Sequence, residues 1–82
     1  MAGERLNPYG HDPLYLQLAA ILRARITSGE YGHLDPLPSE DRLKDEFGIS
    51  RDTVRRAVAV LRSEGLVFTV PHRGTFVGPR PG

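Results

Sequence analysis

The sequence contains no cysteine, so it can form neither a disulfide framework nor a thiolate metal site. It also has no apolar run near the roughly 20 residues of a membrane-spanning helix, and no signal-peptide pattern opens it. A chain of 82 residues forms a modest core with little room for an enclosed catalytic pocket. We therefore expect one small, soluble domain in the cytoplasm.

Patterns that indicate catalysis or metal binding are absent as well. The histidines, His11, His33 and His72, have no partner four residues away and no acids at ligand spacing. No serine or histidine lies in a nucleophile motif, and no glycine-rich phosphate loop follows a strand. We expect no enzymatic activity, no cofactor and no metal site, with His11 and His33 as solvated loop residues.

The net charge of only +1 conceals an uneven distribution. Residues 1–49 contain five basic and eight acidic side chains, whereas residues 50–82 contain six basic and two acidic ones. All six basic residues of the second part are arginines, whose guanidinium suits bidentate contacts with phosphate or guanine. This asymmetry indicates a surface that faces a polyanion, although a short chain can also reach such a split by chance.

Apolar residues recur at three- and four-residue spacing after Pro13, which suits the first position of a helix. We predict a flexible arm over residues 1–12, a helix from Pro13 to about Ser28, and an irregular linker over residues 30–38 with one short extended piece. Gly29 is predicted to end this helix, because glycine readily takes the left-handed conformation that is common at helix C-termini. The apolar positions of the helix are Leu14, Leu18, Ile21, Leu22 and Ile26.

A second, short helix and a tight turn lead into a third helix. Ser39 can cap the second helix, and Glu40 and Asp41 in its first turn suit the helix dipole. Gly48 can take the positive φ that ends it, and Ser50 can cap the third helix.

The third helix is predicted from Ser50 to about Glu64, with Gly65 as its stop. At 100° per residue, one stripe is apolar and we interpret it as core. This stripe consists of Val54, Ala57, Val58 and Leu61; opposite it lie Asp52, Arg56, Ala59 and Ser63, with Arg51, Arg55 and Arg62 on one flank.

Beyond Gly65, residues 66–70 and 75–77 are β-branched and aromatic, and the sequence Pro-His-Arg-Gly lies between them. This pattern predicts a β-hairpin with a basic tip. Residues 79–82 form a tail that continues neither element. Three helices followed by a hairpin make a winged helix-turn-helix over residues 13–78, a mainly α fold with a small β-hairpin.

A helix-turn-helix whose second helix begins with arginines fits the major groove of DNA. The small side chains Ala59 and Ser63 would permit close approach, and Arg73 at the hairpin tip would reach phosphates or the minor groove. Backbone N–H groups at the start of the second helix could bind a phosphate directly. The alternative for the turn taken alone is an ordinary helical corner with solvated charges.

Four motifs in this order carry a family resemblance: residues 37–40 (LPSE), 47–55 (FGISRDTVR), 61–66 (LRSEGL) and 73–77 (RGTFV). Over residues 13–77 the sequence resembles the DNA-binding domain of the GntR family of bacterial transcription regulators. The resemblance implies sequence-specific binding of double-stranded DNA, repression as the default outcome, and a homodimer on a palindromic operator. It also implies a C-terminal, dimerising domain for a small effector, and the sequence leaves open whether it is a fragment or a short member.

The resemblance assigns Arg51 and Arg55 to guanine edges or nearby phosphates. The full set of expected DNA-binding residues is Ser39, Arg42, Ser50, Arg51, Asp52, Thr53, Arg55, Arg56, His72, Arg73, Gly74 and Thr75. Of these, Ser50, Asp52 and Thr53 occupy positions that supply hydrogen bonds to the backbone or bases. The last three form the wing, and His72 is open between a DNA contact and a solvated loop residue.

Three departures from the family pattern matter. Asp41 stands where the family often has arginine, and Arg42, about 100° further round the helix, does not fully substitute. His72 replaces the first glycine of a common Gly-Arg-Gly wing, so we expect a differently shaped tip. Asp52 could accept a hydrogen bond from a cytosine amino group, or buttress Arg55 or Arg56, and we favour the buttress.

A winged helix can also serve protein–protein contact, because fold does not determine function. Domains of that kind usually lose arginines from the third helix. This sequence has four of them there, Arg51, Arg55, Arg56 and Arg62, and a further one at the wing. The arginines therefore favour DNA as the partner.

Overall fold

The computed structural model describes residues 5–81 and folds them into three helices and one hairpin. The helices are α1 (Leu14–Thr27), α2 (Glu40–Phe47) and α3 (Arg51–Ser63), and the strands are β1 (Val67–Val70) and β2 (Gly74–Val77). The strands form a two-stranded antiparallel sheet. The predicted winged helix-turn-helix is therefore confirmed. Among the described residues, no helix is both long enough and apolar enough to cross a membrane.

Both ends of α1 follow from local chemistry. Pro13 was predicted as the first residue of the helix, but its extended ψ of 152° makes it the N-cap residue, and the helix begins at Leu14. At the other end Gly29 has a φ of 85°, which confirms the predicted stop. The N–H of Glu30 then donates to the Arg25 carbonyl at 3.0 Å, which satisfies one of the orphan carbonyls of the last turn.

The predicted arm forms neither helix nor strand over residues 5–12. The side-chain amide of Gln17 fastens this segment to α1. It accepts the Asn7 N–H at 2.8 Å and donates to the Asn7 carbonyl at 2.9 Å and to the Asp12 carbonyl at 2.7 Å. Residues 1–4 of the predicted arm, like Gly82 of the predicted tail, lie outside the described residues.

The core lies between α1, α3 and the hairpin, and α2 covers one side of it. Its five largest fully buried side chains are Leu18, Leu22, Leu43, Val54 and Leu61. Burying a side chain of this kind stabilises the fold by about 1.5–3 kcal/mol. The predicted apolar stripe of α3 is buried and its opposite face is exposed, so the helix is oriented as its periodicity indicates.

Ser39, Gly48 and Ser50 shape the two helices and the turn between them as predicted. The Ser39 hydroxyl accepts the Arg42 N–H at 3.1 Å and the Ser50 hydroxyl accepts the Thr53 N–H at 3.1 Å, so both helices have side-chain N-caps. Gly48 has φ 65° and ψ 40°, the left-handed conformation that glycine adopts without steric cost. This turn brings the start of α3 within side-chain reach of the first turn of α2, where Arg51 contacts Asp41.

The linker before α2 adds a short third edge to the hairpin. Leu34 N–H donates to the Val77 carbonyl and Leu37 N–H to the Thr75 carbonyl, both at 2.8 Å. Pro36 forms an isolated bridge with Phe76, which is the one extended piece predicted in the linker. Because the linker leads directly into Ser39, these bonds hold the hairpin close to the start of α2.

Candidate nucleic-acid interface

The start of α3 places three arginines on the surface. The side chains of Arg51, Arg55 and Arg56 are 50%, 61% and 65% exposed, whereas Val54 beside them is fully buried. Further along the helix, Ala59 is exposed but projects only a methyl group. The outer face of α3 is thus cationic at its N-terminal turn, and near its centre it carries a small side chain.

Acids in the first turn of α2 pair with two of these arginines. Arg51 Nη2 donates to Asp41 Oδ1, and Arg55 Nε lies 3.7 Å from Glu40 Oε1. All four side chains are at least 45% exposed, so each pair remains open to an incoming ligand. Exposed pairs contribute only about 0–1 kcal/mol each, and a polyanion can compete for their guanidinium groups.

Arg56 points in a different direction, towards α1. Its Nε lies 3.3 Å from Asp52 Oδ2 one turn earlier, and its guanidinium carbon lies 5.8 Å from the centre of the Tyr15 ring. The favoured interpretation of Asp52 as a buttress therefore agrees with the geometry, with Arg56 rather than Arg55 as the residue that it supports.

A cleft of about 520 Å³ separates α3 from the hairpin. Arg51, Arg55 and Arg62 line it from α3, and His72 and Arg73 line it from the hairpin tip. Within the described part of the chain, Arg62 and Arg73 form no ion pair. The cleft therefore brings guanidinium groups from two separate elements to one concave surface.

The hairpin tip is a tight turn over Val70–Arg73. The Arg73 N–H donates to the Val70 carbonyl at 3.0 Å, with Pro71 second and His72 third in the turn. A positive φ at the third position is typical of a type II turn, and His72 has a φ of 63° there. The histidine thus adopts a backbone conformation that glycine favours, and its side chain remains exposed.

The predicted boundary of the tip is corrected by one residue. Gly74 was expected in the turn, but it is the first residue of β2 and pairs with Val70. Its φ of 128° lies in a region that side chains rarely adopt, which explains glycine at this position. Thr75 is half-buried, and its hydroxyl lies 3.1 Å from the Thr69 hydroxyl across the strands, so it joins the two strands behind the tip.

Comparison with protein-family models matches residues 14–77 to the family described as bacterial regulatory proteins, gntR family. This range runs from the start of α1 to the end of β2.

The chain belongs to the GntR family.

Relatives of this GntR domain include transcriptional repressors. It is 43% identical over 72 residues to the repressor NagR of Bacillus subtilis, covering 88% of this chain and 30% of NagR. It is 43% identical over 68 residues to MngR of Escherichia coli, the repressor of a mannosyl-D-glycerate transport and metabolism system, covering 83% of this chain and 28% of MngR. The chain therefore spans less than a third of the length of these relatives.

Solved structures with the same fold include DNA-binding domains in complex with operators. The AraR domain bound to operator ORE1 superposes with a TM-score of 0.81 at 34% identity, covering 89% of this chain and 89% of that one. YtrA of Sulfolobus acidocaldarius, a GntR-family transcription factor, superposes with a TM-score of 0.82 at 28% identity, covering 94% of this chain and 81% of that one. The arrangement of helices and wing is thus shared with DNA-binding domains of this family.

Several of the expected DNA-binding residues have structural tasks in the GntR domain. The hydroxyls of Ser39 and Ser50 already accept backbone N–H groups, and the Thr53 hydroxyl lies 2.9 Å from that of Ser50. A hydroxyl that accepts through its oxygen can still donate through its O–H, so the Ser39 O–H remains available to a phosphate oxygen. Of the Ser50 and Thr53 hydroxyls, one donates to the other, and the O–H of the second remains available. Their contact with DNA stays a prediction, whereas their capping role is observed.

Arg42 does not join the arginines that line the cleft. It lines a shallow pocket on the opposite side of α2, together with Arg25, Tyr31 and Glu46, and it takes no part in the cleft between α3 and the hairpin. The expectation that it does not fully replace an arginine at position 41 agrees with this placement.

Sequence reasoning missed the function of Glu40 and Asp41 as partners of the α3 arginines, because it interpreted both acids only as favourable charges in a helix first turn. The pairs join residues ten and fifteen positions apart across the turn, so no short-range spacing rule indicates them. Arg62 was placed on the correct flank of α3 but was not included among the expected DNA-binding residues.

Proposed function

We propose that this GntR-family domain binds double-stranded DNA at a specific sequence and represses transcription by doing so. One observation carries the proposal: exposed arginines of α3 and Arg73 of the hairpin tip line the same cleft. The repressors NagR and MngR and the operator complexes of AraR support it by similarity.

In the proposed complex, α3 lies in the major groove with its first turn nearest the bases. Arg51 and Arg55 project from this turn, and arginine can donate two parallel hydrogen bonds to guanine O6 and N7. Ala59 leaves space for the groove wall further along the helix. In this proposal the N-cap serines and Thr53 would bind phosphates that flank the groove, as would backbone N–H groups at the helix starts.

The hairpin acts as the wing in this proposal. Arg73 is exposed and unpaired within the described residues, so its guanidinium is available to a phosphate or to a narrow minor groove. Gly74, with its positive φ, leads the chain from the turn into β2, and His72 offers ring nitrogens as further hydrogen-bonding groups beside Arg73. The wing therefore contributes mainly affinity, whereas α3 contributes sequence preference.

One such domain reads only half a site, so we expect two copies to bind a palindromic operator as a homodimer. The longer relatives leave room for a further domain, and a small-molecule effector would act through that domain. A cytoplasmic location and the lack of enzymatic activity follow from the proposed role as a DNA-binding regulator.

Selection of duplexes from a random pool, followed by salt titration on the selected site, tests the proposal. We expect enrichment of a defined sequence and an affinity that falls steeply with salt, by about 0.9 in log–log slope for each phosphate contact. Arg80→Ala, in the tail outside the cleft, is the control for loss of one positive charge. A domain that enriches no sequence, or whose binding does not depend on salt, would instead favour a module for protein–protein contact.

A further inference from the structure

We infer that Asp41 directs Arg51 towards guanine edges and away from phosphates, which makes Asp41 a specificity-determining residue of the DNA-binding surface. The inference rests on the proposed function and deepens it. It assigns a binding role to one of the two acids, Asp41 and Glu40, that line the arginine-rich cleft.

The geometry places the Asp41 carboxylate beside the guanidinium that is expected to contact DNA. Asp41 lies in the first turn of α2, Arg51 is the first residue of α3, and Arg51 Nη2 donates to Asp41 Oδ1. The two side chains are 65% and 50% exposed, so the pair lies on the surface. A ligand that reaches Arg51 therefore meets the carboxylate as well.

A guanidinium has five N–H donors in a fixed planar arrangement. Asp41 engages one nitrogen and limits the rotation of the side chain, while the remaining donors can still face a second acceptor. Arg51 can therefore bind Asp41 and another group at the same time. Its orientation in the free protein is set in advance, which reduces the entropy lost on binding.

The charge of Asp41 determines which acceptor is favoured. A phosphate beside Arg51 would carry a second negative charge close to the carboxylate, and like charges at such distances repel one another even in water. Guanine O6 and N7 are acceptors without formal charge. Asp41 therefore weakens phosphate binding by Arg51 more than it weakens guanine binding.

The neighbouring pair is looser, which localises the expected effect. Arg55 Nε lies 3.7 Å from Glu40 Oε1, beyond hydrogen-bond distance, and its side chain is 61% exposed. Glu40 consequently holds Arg55 less firmly than Asp41 holds Arg51. We expect the carboxylate to affect sequence preference mainly at the base pair that Arg51 contacts.

The experiment compares Asp41→Ala with Asp45→Ala. Asp45 is also an exposed acid of α2, but it pairs with Lys44 of its own helix, at 3.0 Å, and with no residue of α3. Both variants remove one negative charge and keep the Ser39 cap. Thermal unfolding followed by circular dichroism verifies that each is folded at the assay temperature.

The readouts are the affinity ratio between the selected duplex and duplexes with single base-pair changes, and the slope of affinity against salt. For Asp41→Ala we expect the ratio at the Arg51 base pair to fall about two- to fivefold, the range of an exposed ion pair. We also expect the salt slope to steepen by about 0.9, because Arg51 gains a phosphate contact. Asp45→Ala should leave the ratio unchanged.

Arg51→Ala provides the background that separates a direct effect from one through Arg51. In that background, Asp41→Ala should change neither the ratio nor the slope. If Asp41→Ala behaves as Asp45→Ala does while the wild-type domain selects a defined sequence, the inference is overturned and the proposed function stands. An equal effect of Asp41→Ala with and without Arg51 also overturns it. If the wild-type domain selects no sequence, both fall.

Discussion

Arg25 and the exposed arginines of α3 show opposite uses of the same side chain. Arg25 of α1 is only 8% exposed, and its guanidinium donates to Glu46 at 2.8 Å and to the Tyr31 hydroxyl at 3.1 Å. The ring of Phe47 lies 5.5 Å from the guanidinium carbon. Arg51 and Arg55 of α3, in contrast, are at least half exposed, and each faces one carboxylate.

Arg25 differs from the exposed arginines in how many of its guanidinium N–H donors already have an acceptor in the protein. A buried guanidinium without partners is costly, and Arg25 is surrounded by acceptors and an aromatic face from α2 and from the loop that follows α1. It joins α1 to the end of α2 and positions the turn from the inside. The exposed arginines keep donors available, which suits them to bind a ligand rather than to stabilise the fold.

The largest expected effect is loss of stability in Arg25→Ala. Removing the guanidinium leaves Glu46 without its buried partner, which should lower the free energy of unfolding by about 2–3 kcal/mol. The value lies below that of a fully buried pair because Glu46 is 41% exposed. Urea unfolding measures it. A loss under about 0.5 kcal/mol, the usual range of surface changes, would abolish the contrast between Arg25 and the exposed arginines.

Arg51→Ala and Arg55→Ala should show the reverse pattern. We expect each to weaken binding of the selected duplex by about 1–3 kcal/mol and to relax the preference at one base pair, because contacts with base edges determine specificity. Unfolding free energy should change by less than about 0.5 kcal/mol. Titration of matched and substituted duplexes checks the first part and urea unfolding the second.

Arg73→Ala should have a smaller and more uniform effect than the α3 variants. Because a phosphate contact carries no sequence information, the affinity for all duplexes should fall by a similar factor, and the salt slope should decrease by about 0.9. Arg80→Ala is the matched control. A selective loss at one base pair would place Arg73 with the base-reading arginines instead.

The smallest effect is expected at the surface pair that joins α1 to the end of α3. Arg23 donates to Glu64 at 2.6 and 2.8 Å, and this hydrogen bond lowers the pKa of Glu64 and raises that of Arg23. The stabilisation is present above the ordinary carboxyl pKa of about 4.3 and is lost as the pH falls through the lowered value. Thermal unfolding between neutral pH and pH 3 should therefore show a slightly smaller loss for Glu64→Gln than for the wild-type domain.

Local chemistry predicted most of the fold. The caps at Ser39 and Ser50, the left-handed Gly48 and the apolar stripe of α3 depend on a few neighbouring residues, so the sequence alone indicates them. The backbone bonds between residues 34–37 and β2 were only partly expected, because they join segments about forty residues apart.

Side-chain partners across the turn were harder to predict. The sequence indicated that Arg51 and Arg55 are exposed but not that Asp41 and Glu40 face them, since the packing angle between α2 and α3 determines which residues meet. Similarly, Arg25 falls near the apolar stripe of α1 but has a charge, and its burial follows only from the acceptors that the fold brings around it. Long-range pairing of polar groups therefore limits what can be inferred from the sequence.

If the domain binds DNA as proposed, the arginines of α3 and the wing face the duplex, whereas Arg25 does not. Titration of the isotope-labelled domain with its selected duplex, observing the arginine Nε–Hε signals by NMR, tests this most directly. We predict that the signals of Arg51, Arg55 and Arg73 shift on binding and that the signal of Arg25 stays in place. Shifts confined to Arg25 and Arg42, on the opposite side of α2, would contradict the account.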